Sequence, residues 1–470
     1  MVKEHILWML ILLQVLSGSA MAQGVNPGAL ENELNALKAK VSELEARLQL
    51  YRTEAPQEKI DELDQQIRIL QRQRELDKEE TEAKEKKLPV LNVGAKGFSI
   101  ASPEEDFLLR FRGYLQADGR FYPDDDENAL DDTFTLRRIR PILEGTIWEH
   151  YNFRIMPDFG GGETELFDAY IEMTHFPEAS LRVGKFKVPF GLERLQSATS
   201  LMFLERGFPT SLGPNRDVGI QLSGEFREGL LSYAVGVFNG VADGGSSDLD
   251  LDDGKQVAAR IFTHPFISSD IEALQGLGIG LAGTYGDSEG DVSSFRSSGR
   301  QRFFRYRDGT QANGRHHRFS PQGYYYWGPF GLMGEYVLST QDLEREGINR
   351  EVDNEAWQVQ VSYVLTGEDA SYKGVKPAKP FDPRKGTWGA FELVARYGNL
   401  ELDNDIYGYG FADSAVAADE ADEYALGLNW YLNNNVQYKL DYVHTSYSGG
   451  DVNGDRESED AVMTRFQLSF

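Results

Sequence analysis

The segment from Tyr424 to Phe470 alternates between apolar and polar side chains, and this pattern constrains the fold more than any other feature of the sequence. Its apolar positions are Tyr424, Leu426, Leu428 and Trp430, then Val436, Tyr438, Leu440 and Tyr442, and finally Phe466, Leu468 and Phe470. A period of two residues indicates β-strands with one apolar and one polar face. A membrane barrel turns the apolar face to lipid, gathers Tyr and Trp at the interfaces and keeps the lumen polar. We therefore expect a barrel rather than a sandwich.

The same alternation recurs through residues 89–470, which we assign to one transmembrane domain. Leu109, Phe111 and Leu115, for example, share a parity opposite to their polar neighbours, and residues 88–106 include a short first strand near Phe98. A repeat of roughly 20 to 25 residues predicts an all-β transmembrane barrel of about 16 antiparallel strands. Long loops belong on the extracellular side. Here they are acidic, and they are expected at residues 123–132, 243–253, 401–423 and 449–460.

The amino-acid composition excludes some classes of protein. Acidic residues outnumber basic ones by 75 to 48, which gives a formal charge of −27 and argues against nucleic-acid binding. The chain has no cysteine, so an exported form must be held together by strand pairing rather than by disulfides.

The first 22 residues are predicted to be a secretory signal peptide. Lys3 supplies the positive charge, residues 6–16 the apolar core, and Ala20-Met21-Ala22 the cleavage site. A membrane anchor is the alternative, but this apolar run is much shorter than the ~20 residues that a spanning helix needs.

Residues 23–88 are predicted to form a periplasmic α-helical coiled coil that precedes the barrel. Apolar residues occupy heptad positions at Leu30, Leu34, Leu37, Val41, Leu44, Leu48 and Tyr51, and again after Pro56 at Ile60, Leu63, Ile67 and Leu70. A sustained heptad pattern favours a seam between protomers. An isolated amphipathic helix and a helix folded against the barrel mouth remain the alternatives.

Basic residues on the lumen parity are candidates for an anion path. They are Arg110, Arg112, Arg138, Arg140, Arg154, Arg260, Arg318, Arg396, Lys439 and Arg465. Rings of Arg or Lys line anion and phosphate pores, and the guanidinium group binds phosphate oxygens with two parallel hydrogen bonds. The alternative is that these side chains form structural pairs with lumen acids, namely Asp118, Glu144, Asp158, Glu392 and Asp441.

The non-alternating stretch 185–216 is the best candidate for a pore constriction. Its basic residues are Lys185, Lys187, Arg194, Arg206 and Arg216. An extracellular loop of mixed charge is the alternative. A second basic run is Arg296, Arg300, Arg302, Arg305, Arg307, Arg315, His316, His317 and Arg318. Its arginines could line the pore or bind lipopolysaccharide phosphates.

No metal site, cofactor or enzyme active site is expected. The acidic runs that start at Asp248 and Asp451 resemble the beginning of an EF-hand loop but lack its later ligands. No motif of a nucleotide-binding, metalloprotease or serine-hydrolase site is present. His444 and Ser446 share a strand face, but no acidic third member is evident.

Several ordered segments of the chain resemble the phosphate-selective porin O/P family. They include LRFRGYLQADGRFY from Leu109, LRVGKFKVPFGLERLQSATS from Leu181, FDPRKGTWGAFELVARYGNLEL from Phe381, and the terminal RFQLSF. The resemblance implies a trimeric, sixteen-stranded outer-membrane barrel that conducts anions through an arginine-lined lumen. It also implies that Phe470 is the terminal aromatic residue that the assembly machinery recognises.

We therefore expect a passive outer-membrane channel for small anions, with phosphate or polyphosphate as the solutes. Its expected partners are outer-membrane lipids, lipopolysaccharide and two further copies of the chain. One alternative is a structural tether in which the coiled coil links the barrel to the cell wall and the pore is incidental. Another is a barrel-borne lipid hydrolase that uses His444.

Overall fold

The computed structural model describes residues 27–51, 57–85, 88–123, 131–248 and 253–470. The chain divides into two compact units, Met1–Leu88 and Pro89–Phe470. The predicted signal peptide, residues 1–22, lies outside the described residues.

The first unit contains two long helices, α1 (Pro27–Tyr51) and α2 (Gln57–Glu85). Several of their apolar heptad residues face solvent in the single chain, such as Val41 at 42% and Leu70 at 50% exposure. The helical prediction is confirmed, while the coiled coil between protomers stays a prediction. Among the described residues, no helix combines the length and apolar character needed to cross a bilayer.

The second unit is built mainly from β-strands. They are β1 (Val90–Gly94), β2 (Gly97–Ala101), β3 (Leu108–Phe121), β4 (Thr133–Ile147), β5 (Tyr151–Asp158), β6 (Glu165–Phe176), β7 (Ala179–Lys187), β8 (Arg216–Phe226), β9 (Leu231–Phe238), β10 (Gln256–Thr263), β11 (Leu277–Asp291), β12 (Phe295–Arg296), β13 (Arg302–Phe304), β14 (Gln311–Trp327), β15 (Phe330–Arg345), β16 (Ile348–Val364), β17 (Ala390–Glu401), β18 (Ala418–Tyr431), β19 (Val436–Asp451), β20 (Gly454–Asp455) and β21 (Glu459–Ser469).

The short helices of this unit lie in its connections. They are α3 (Leu192–Leu195), α4 (Pro209–Leu212), α5 (Glu272–Gln275), α6 (Asp405–Gly408) and a 3₁₀ turn at Gly160–Gly162.

Sixteen of these strands close into an antiparallel barrel, as the repeat spacing predicts. They are β3 to β11, β14 to β19 and β21, each paired with its neighbour in the chain. The barrel closes where β21 pairs with β3, from Val462 opposite Phe121 to Ser469 opposite Tyr114. Strand β2 continues the pairing along β3, with Phe98 opposite Phe111.

The alternating side chains point as the sequence predicts. On β3, Leu109 and Phe111 are 44% exposed on the outer face, whereas Gln116 and Asp118 are buried in the lumen. Outer-face exposure of apolar residues is what a strand in contact with lipid requires, since the bilayer replaces water as the solvent of that face.

Connections on the side of the barrel that holds the C-terminus are mostly short, and those on the other side are mostly long. The predicted loop 401–423 is shorter than expected, because β18 already begins at Ala418. Residues 365–389, which we call the inner turn, are a long connection on the short-turn side. The inner turn reaches into the lumen, where the Tyr372 hydroxyl donates to the Leu192 carbonyl at 2.6 Å.

Loops from the opposite end fill part of the lumen with apolar side chains. The arginine-rich loop (residues 292–310) packs Phe303, Phe304 and Tyr306 against Phe411 and against wall residues such as Val337. The Phe304 and Tyr306 rings meet edge to face at 4.8 Å. Because this packing occupies the space beside β15 to β18, an aqueous path is displaced towards the strands at the start of the barrel.

Candidate anion path

One loop, residues 188–215, crosses the lumen, and we call it the crossing loop. The stretch 185–216 is only partly a loop, since Lys185 and Lys187 end β7 and Arg216 begins β8. Wall residues from distant strands hold the crossing loop. The Glu335 carboxylate accepts the Leu192 N–H at 2.6 Å, and the Asp441 carboxylate accepts the Leu204 N–H at 2.7 Å.

A buried carboxylate inside the crossing loop strengthens this attachment. Glu193 accepts hydrogen bonds from Gln358 at 2.9 Å and Gln360 at 3.0 Å, both on β16. It also accepts the N–H of Gly207 at 2.9 Å, which ties two parts of the loop together. A hydrogen bond to a charged group contributes about 1.5–3 kcal/mol. The loop is therefore attached to the wall on the β15–β19 side, and it has further contacts with β3, β4 and β21. Space remains open between the loop and the wall from β3 to β10.

The open side holds a cavity of about 970 Å³ whose lining is strongly basic. Thirteen arginine and lysine side chains contribute to it, against four acids, Glu144, Asp168, Glu172 and Glu225. The acidic character of the whole chain is therefore reversed along this path.

Most of the lumen residues predicted from the sequence line this cavity. They are Arg110, Arg112, Arg138, Arg140, Arg154 and Arg260 from the walls, together with Lys187, Arg194, Arg206 and Arg216. The parity argument predicts six of these residues, and the non-alternating stretch 185–216 supplies the other four.

Five other predicted residues do not line the cavity. Lys439 donates to the Leu201 carbonyl, and the other four are held in structural pairs. Lys185 forms an ion pair with Asp248. Arg318 is buried and donates to Asp243 at 2.7 Å. Arg396 donates to Glu423 at 2.8 Å. Arg465 makes two bonds to Asp118, at 2.7 Å each. The alternative of structural pairing describes these four residues.

Some cavity arginines also have acidic partners. Arg112 makes two bonds to Glu144, at 2.7 and 3.0 Å, and Arg154 approaches the same carboxylate at 2.7 Å. Arg140 pairs with Asp158 at 2.7 Å. A paired charge presents a weaker field to a passing anion, so these residues contribute less than their number indicates.

Lys187, Arg194 and Arg206 differ because they donate to backbone carbonyls instead. Lys187 reaches the Gln196 carbonyl at 2.9 Å, and Arg206 reaches the same carbonyl at 2.9 Å. Within the described part of the chain, none of the three has a carboxylate oxygen within the 4.0 Å of an ion pair. Burial, followed by repulsion from Arg206 and Arg216, lowers the pKa of Arg194 to about 9. This concentration of unpaired positive charge is where a bound anion would relieve the most repulsion.

Parity reasoning missed three basic lining residues, Lys96, Arg137 and Arg182. Parity does not predict Arg137 because this residue is the extra residue of a β-bulge on β4. Arg138 pairs with Gln116 and Leu136 pairs with Ala117, so Arg137 has no partner in the strand register. The extra residue of a bulge shifts the side-chain alternation, and no local signal in this sequence marks it.

The second basic run does not join the cavity. Arg302, Arg305 and Arg307 border a separate pocket of about 510 Å³ with Asp308 and Asp413. Its last member, Arg318, is the buried partner of Asp243 described above.

The sequence expectation for His444 was incomplete, since the structure supplies an acidic neighbour. His444 Nδ1 lies 2.9 Å from Asp460 Oδ1, and the Tyr442 hydroxyl donates to the same oxygen at 2.6 Å. These side chains share the outward parity of Leu440 and Phe466 and are not part of the cavity lining. In the acidic run that starts at Asp248, residues 249–252 lie outside the described residues. In the run that starts at Asp451, the Asp451 carboxylate accepts the Asn453 N–H at 2.8 Å.

Comparison with known proteins agrees with the barrel fold. Porin O of Pseudomonas aeruginosa is 27% identical over 409 residues, which cover 80% of this chain and 91% of that protein. The outer membrane channel DcaP of Acinetobacter baumannii has the same fold, with a TM-score of 0.51 and 11% identity over 77% of this chain and 97% of that one. The family model of phosphate-selective porin O and P matches residues 109–470. Because this match spans most of the chain, the protein belongs to the phosphate-selective porin O and P family of outer-membrane porins.

Proposed function

We propose that the protein is a passive outer-membrane channel for small anions, with phosphate or polyphosphate as its solutes. The basic cavity beside the crossing loop is the observation that carries this proposal. Lys187, Arg194, Arg206 and Arg216 form the constriction, and the wall arginines guide anions towards it. Guanidinium groups suit this role because they stay charged and match the geometry of phosphate oxygens.

The acidic loops do not prevent anion passage. At physiological ionic strength the Debye length is about 8 Å, so exposed carboxylates at the rim are screened from a constriction deeper in the barrel. Charges at a narrow, partly desolvated site act through a lower effective dielectric and are therefore stronger. The local charge of the cavity decides the selectivity, and the net charge of the chain does not.

Reversal potentials across planar bilayers test the proposal. A chloride gradient should give a potential of the sign for anion permeability, and a phosphate gradient should give the same sign. A potential of the sign for cations in both gradients would contradict the channel's proposed selectivity and leave only the fold in common with the family.

The oligomeric state belongs to the same proposal. We infer a homotrimer embedded among outer-membrane lipids and lipopolysaccharide, with residues 23–88 as a periplasmic coiled coil that joins the protomers. The solvent-facing apolar residues of α1 and α2 support a seam between copies, since isolated helices gain little from such a stripe.

Charges placed in the proposed seam test this assembly. Leu63→Asp with Ile67→Asp should lower the temperature at which the trimer dissociates, because burying a carboxylate is costly. Glu62→Gln with Asp64→Asn, at neighbouring exposed positions, is the matched control. Equal dissociation temperatures for the seam variant and the wild type would contradict the coiled coil.

A further inference from the structure

Glu205 of the crossing loop is surrounded by arginines. Its Oε1 atom lies 2.8 Å from Arg120 and 2.6 Å from Arg137. Its Oε2 atom lies 3.1 Å from Arg137 and 3.6 Å from Arg138. Arg465 approaches Oε1 at 3.9 Å. The residue is only 6% exposed, so these guanidinium groups, rather than water, are its main surroundings.

This cluster has more positive than negative charge. Four arginines share two carboxylates, Glu205 and Asp118, and Asp118 is already bound by both Nε and Nη2 of Arg465 at 2.7 Å each. The Nε atoms of Arg120 and Arg138 are buried and have no hydrogen-bond partner among the described residues. A buried donor without a partner is costly, so the cluster has capacity for further acceptor oxygens. The Glu205 carboxylate therefore does not fill all the hydrogen-bond donors of these arginines.

The cluster borders the anion path. Arg137 and Arg138 line the basic cavity, and Arg137 remains 24% exposed there. On the other side, Arg396 joins residue 205 to the arginine-rich loop, since it donates to the Glu205 carbonyl at 3.0 Å and to the Ser298 hydroxyl at 2.9 Å. Glu205 therefore lies between the cavity and a loop at the extracellular end of the barrel.

We propose that Glu205 is a tethered counter-anion whose carboxylate occupies the guanidinium site that a permeating oxyanion would otherwise bind. Carboxylate and phosphate oxygens compete for the same forked N–H donors. A phosphate that enters must displace Glu205 from Arg137 and Arg120, which keeps the binding weak enough for release. The inference rests on the proposed anion channel and names the residue that sets its affinity.

A purely structural role explains less. The crossing loop is anchored independently of the Glu205 side chain, through Glu335, Asp441 and the 2.7 Å bond from Arg465 to the Leu204 carbonyl. The structural pair between Arg318 and Asp243 also differs, since Arg318 fills its remaining donors with Gln256, Thr284 and the Val241 carbonyl. The Glu205 cluster leaves donors unfilled beside the path.

Block of the chloride current by inorganic phosphate tests the proposal. For Glu205→Gln, the phosphate concentration that halves the chloride conductance should fall about tenfold, because the competing charge is gone. Asp243→Asn is the matched control, since it also removes a buried carboxylate facing an arginine but lies outside the cavity lining. Its half-blocking concentration should stay within about twofold of wild type.

Glu205→Asp covers the case in which the glutamine variant does not assemble. It keeps the charge, but its shorter side chain cannot contact Arg120 and Arg137 together, so the half-blocking concentration should fall by a smaller factor. A concentration equal to or above wild type in Glu205→Gln, or in Glu205→Asp where only that variant assembles, would overturn the inference. An equal fall in Asp243→Asn would overturn it too. A wild-type channel without anion selectivity would instead contradict the proposed function itself.

Discussion

The Glu335 carboxylate on β15 accepts the backbone N–H of Leu192 at 2.6 Å, across 143 residues of sequence. Glu335 is 5% exposed, and Gln358 donates to its other oxygen at 3.0 Å. This contact fixes the first turn of α3 against the barrel wall. The width of the path beside the crossing loop depends on it, because the loop forms one side of that path.

Glu335→Ala should loosen the crossing loop and raise both the single-channel conductance and the open-channel noise. The substitution leaves the Leu192 N–H without its partner, at a cost of about 1–3 kcal/mol. Glu355→Ala, on the outward parity of β16, serves as a control in the same recordings. Unchanged conductance and noise in Glu335→Ala would show that this contact does not position the loop.

Arg396→Gln should destabilise the folded barrel without changing its ion selectivity. Arg396 is 1% exposed at its side chain and pairs with the equally buried Glu423. Removing one partner of a buried pair leaves an uncompensated charge and costs about 3–5 kcal/mol. The urea midpoint of the refolded protein should fall while the reversal potential stays at the wild-type value. A changed reversal potential with an unchanged midpoint would place Arg396 in the ion path instead.

Deletion of Phe470 should prevent normal assembly. Its N–H donates to the Gly113 carbonyl at 3.0 Å, and its ring packs on Phe98 and Phe111 with centroids 6.3 and 6.0 Å away. The deletion opens the end of the β3–β21 seam, where the barrel closes. Phe470→Tyr keeps these contacts and is the control. Wild-type amounts of heat-modifiable barrel in the outer membrane after the deletion would contradict this role.

The face on which each strand residue lies could be predicted from the sequence, because apolar and polar residues alternate within each barrel strand. Leu109 faces lipid and Gln116 faces the lumen for reasons contained within their own strand. The position of Arg137 could not be predicted, since it depends on a bulge. The inward course of the inner turn could not be predicted either, because the hydrogen bond from Tyr372 to Leu192 joins residues that are 180 positions apart in the sequence.

The pairing of each lumen arginine was beyond local reasoning for a similar reason. The sequence predicts both Arg194 and Arg396 for the anion path, yet one donates to the Thr210 carbonyl and the other pairs with Glu423. That difference follows from the course of the crossing loop, which is determined by anchors on β15 and β19. Only the tertiary structure separates unpaired charges from paired ones.

The reversal potential in a chloride gradient, recorded for the wild type and for Lys187→Gln/Arg194→Gln/Arg206→Gln, tests the central claim most directly. None of these three side chains has a carboxylate partner among the described residues. We expect a wild-type potential of the sign for anions, and a triple-variant potential near zero or of the opposite sign, with the heat-modifiable barrel intact. A triple variant that folds and keeps the full anion preference of the wild type would contradict the account.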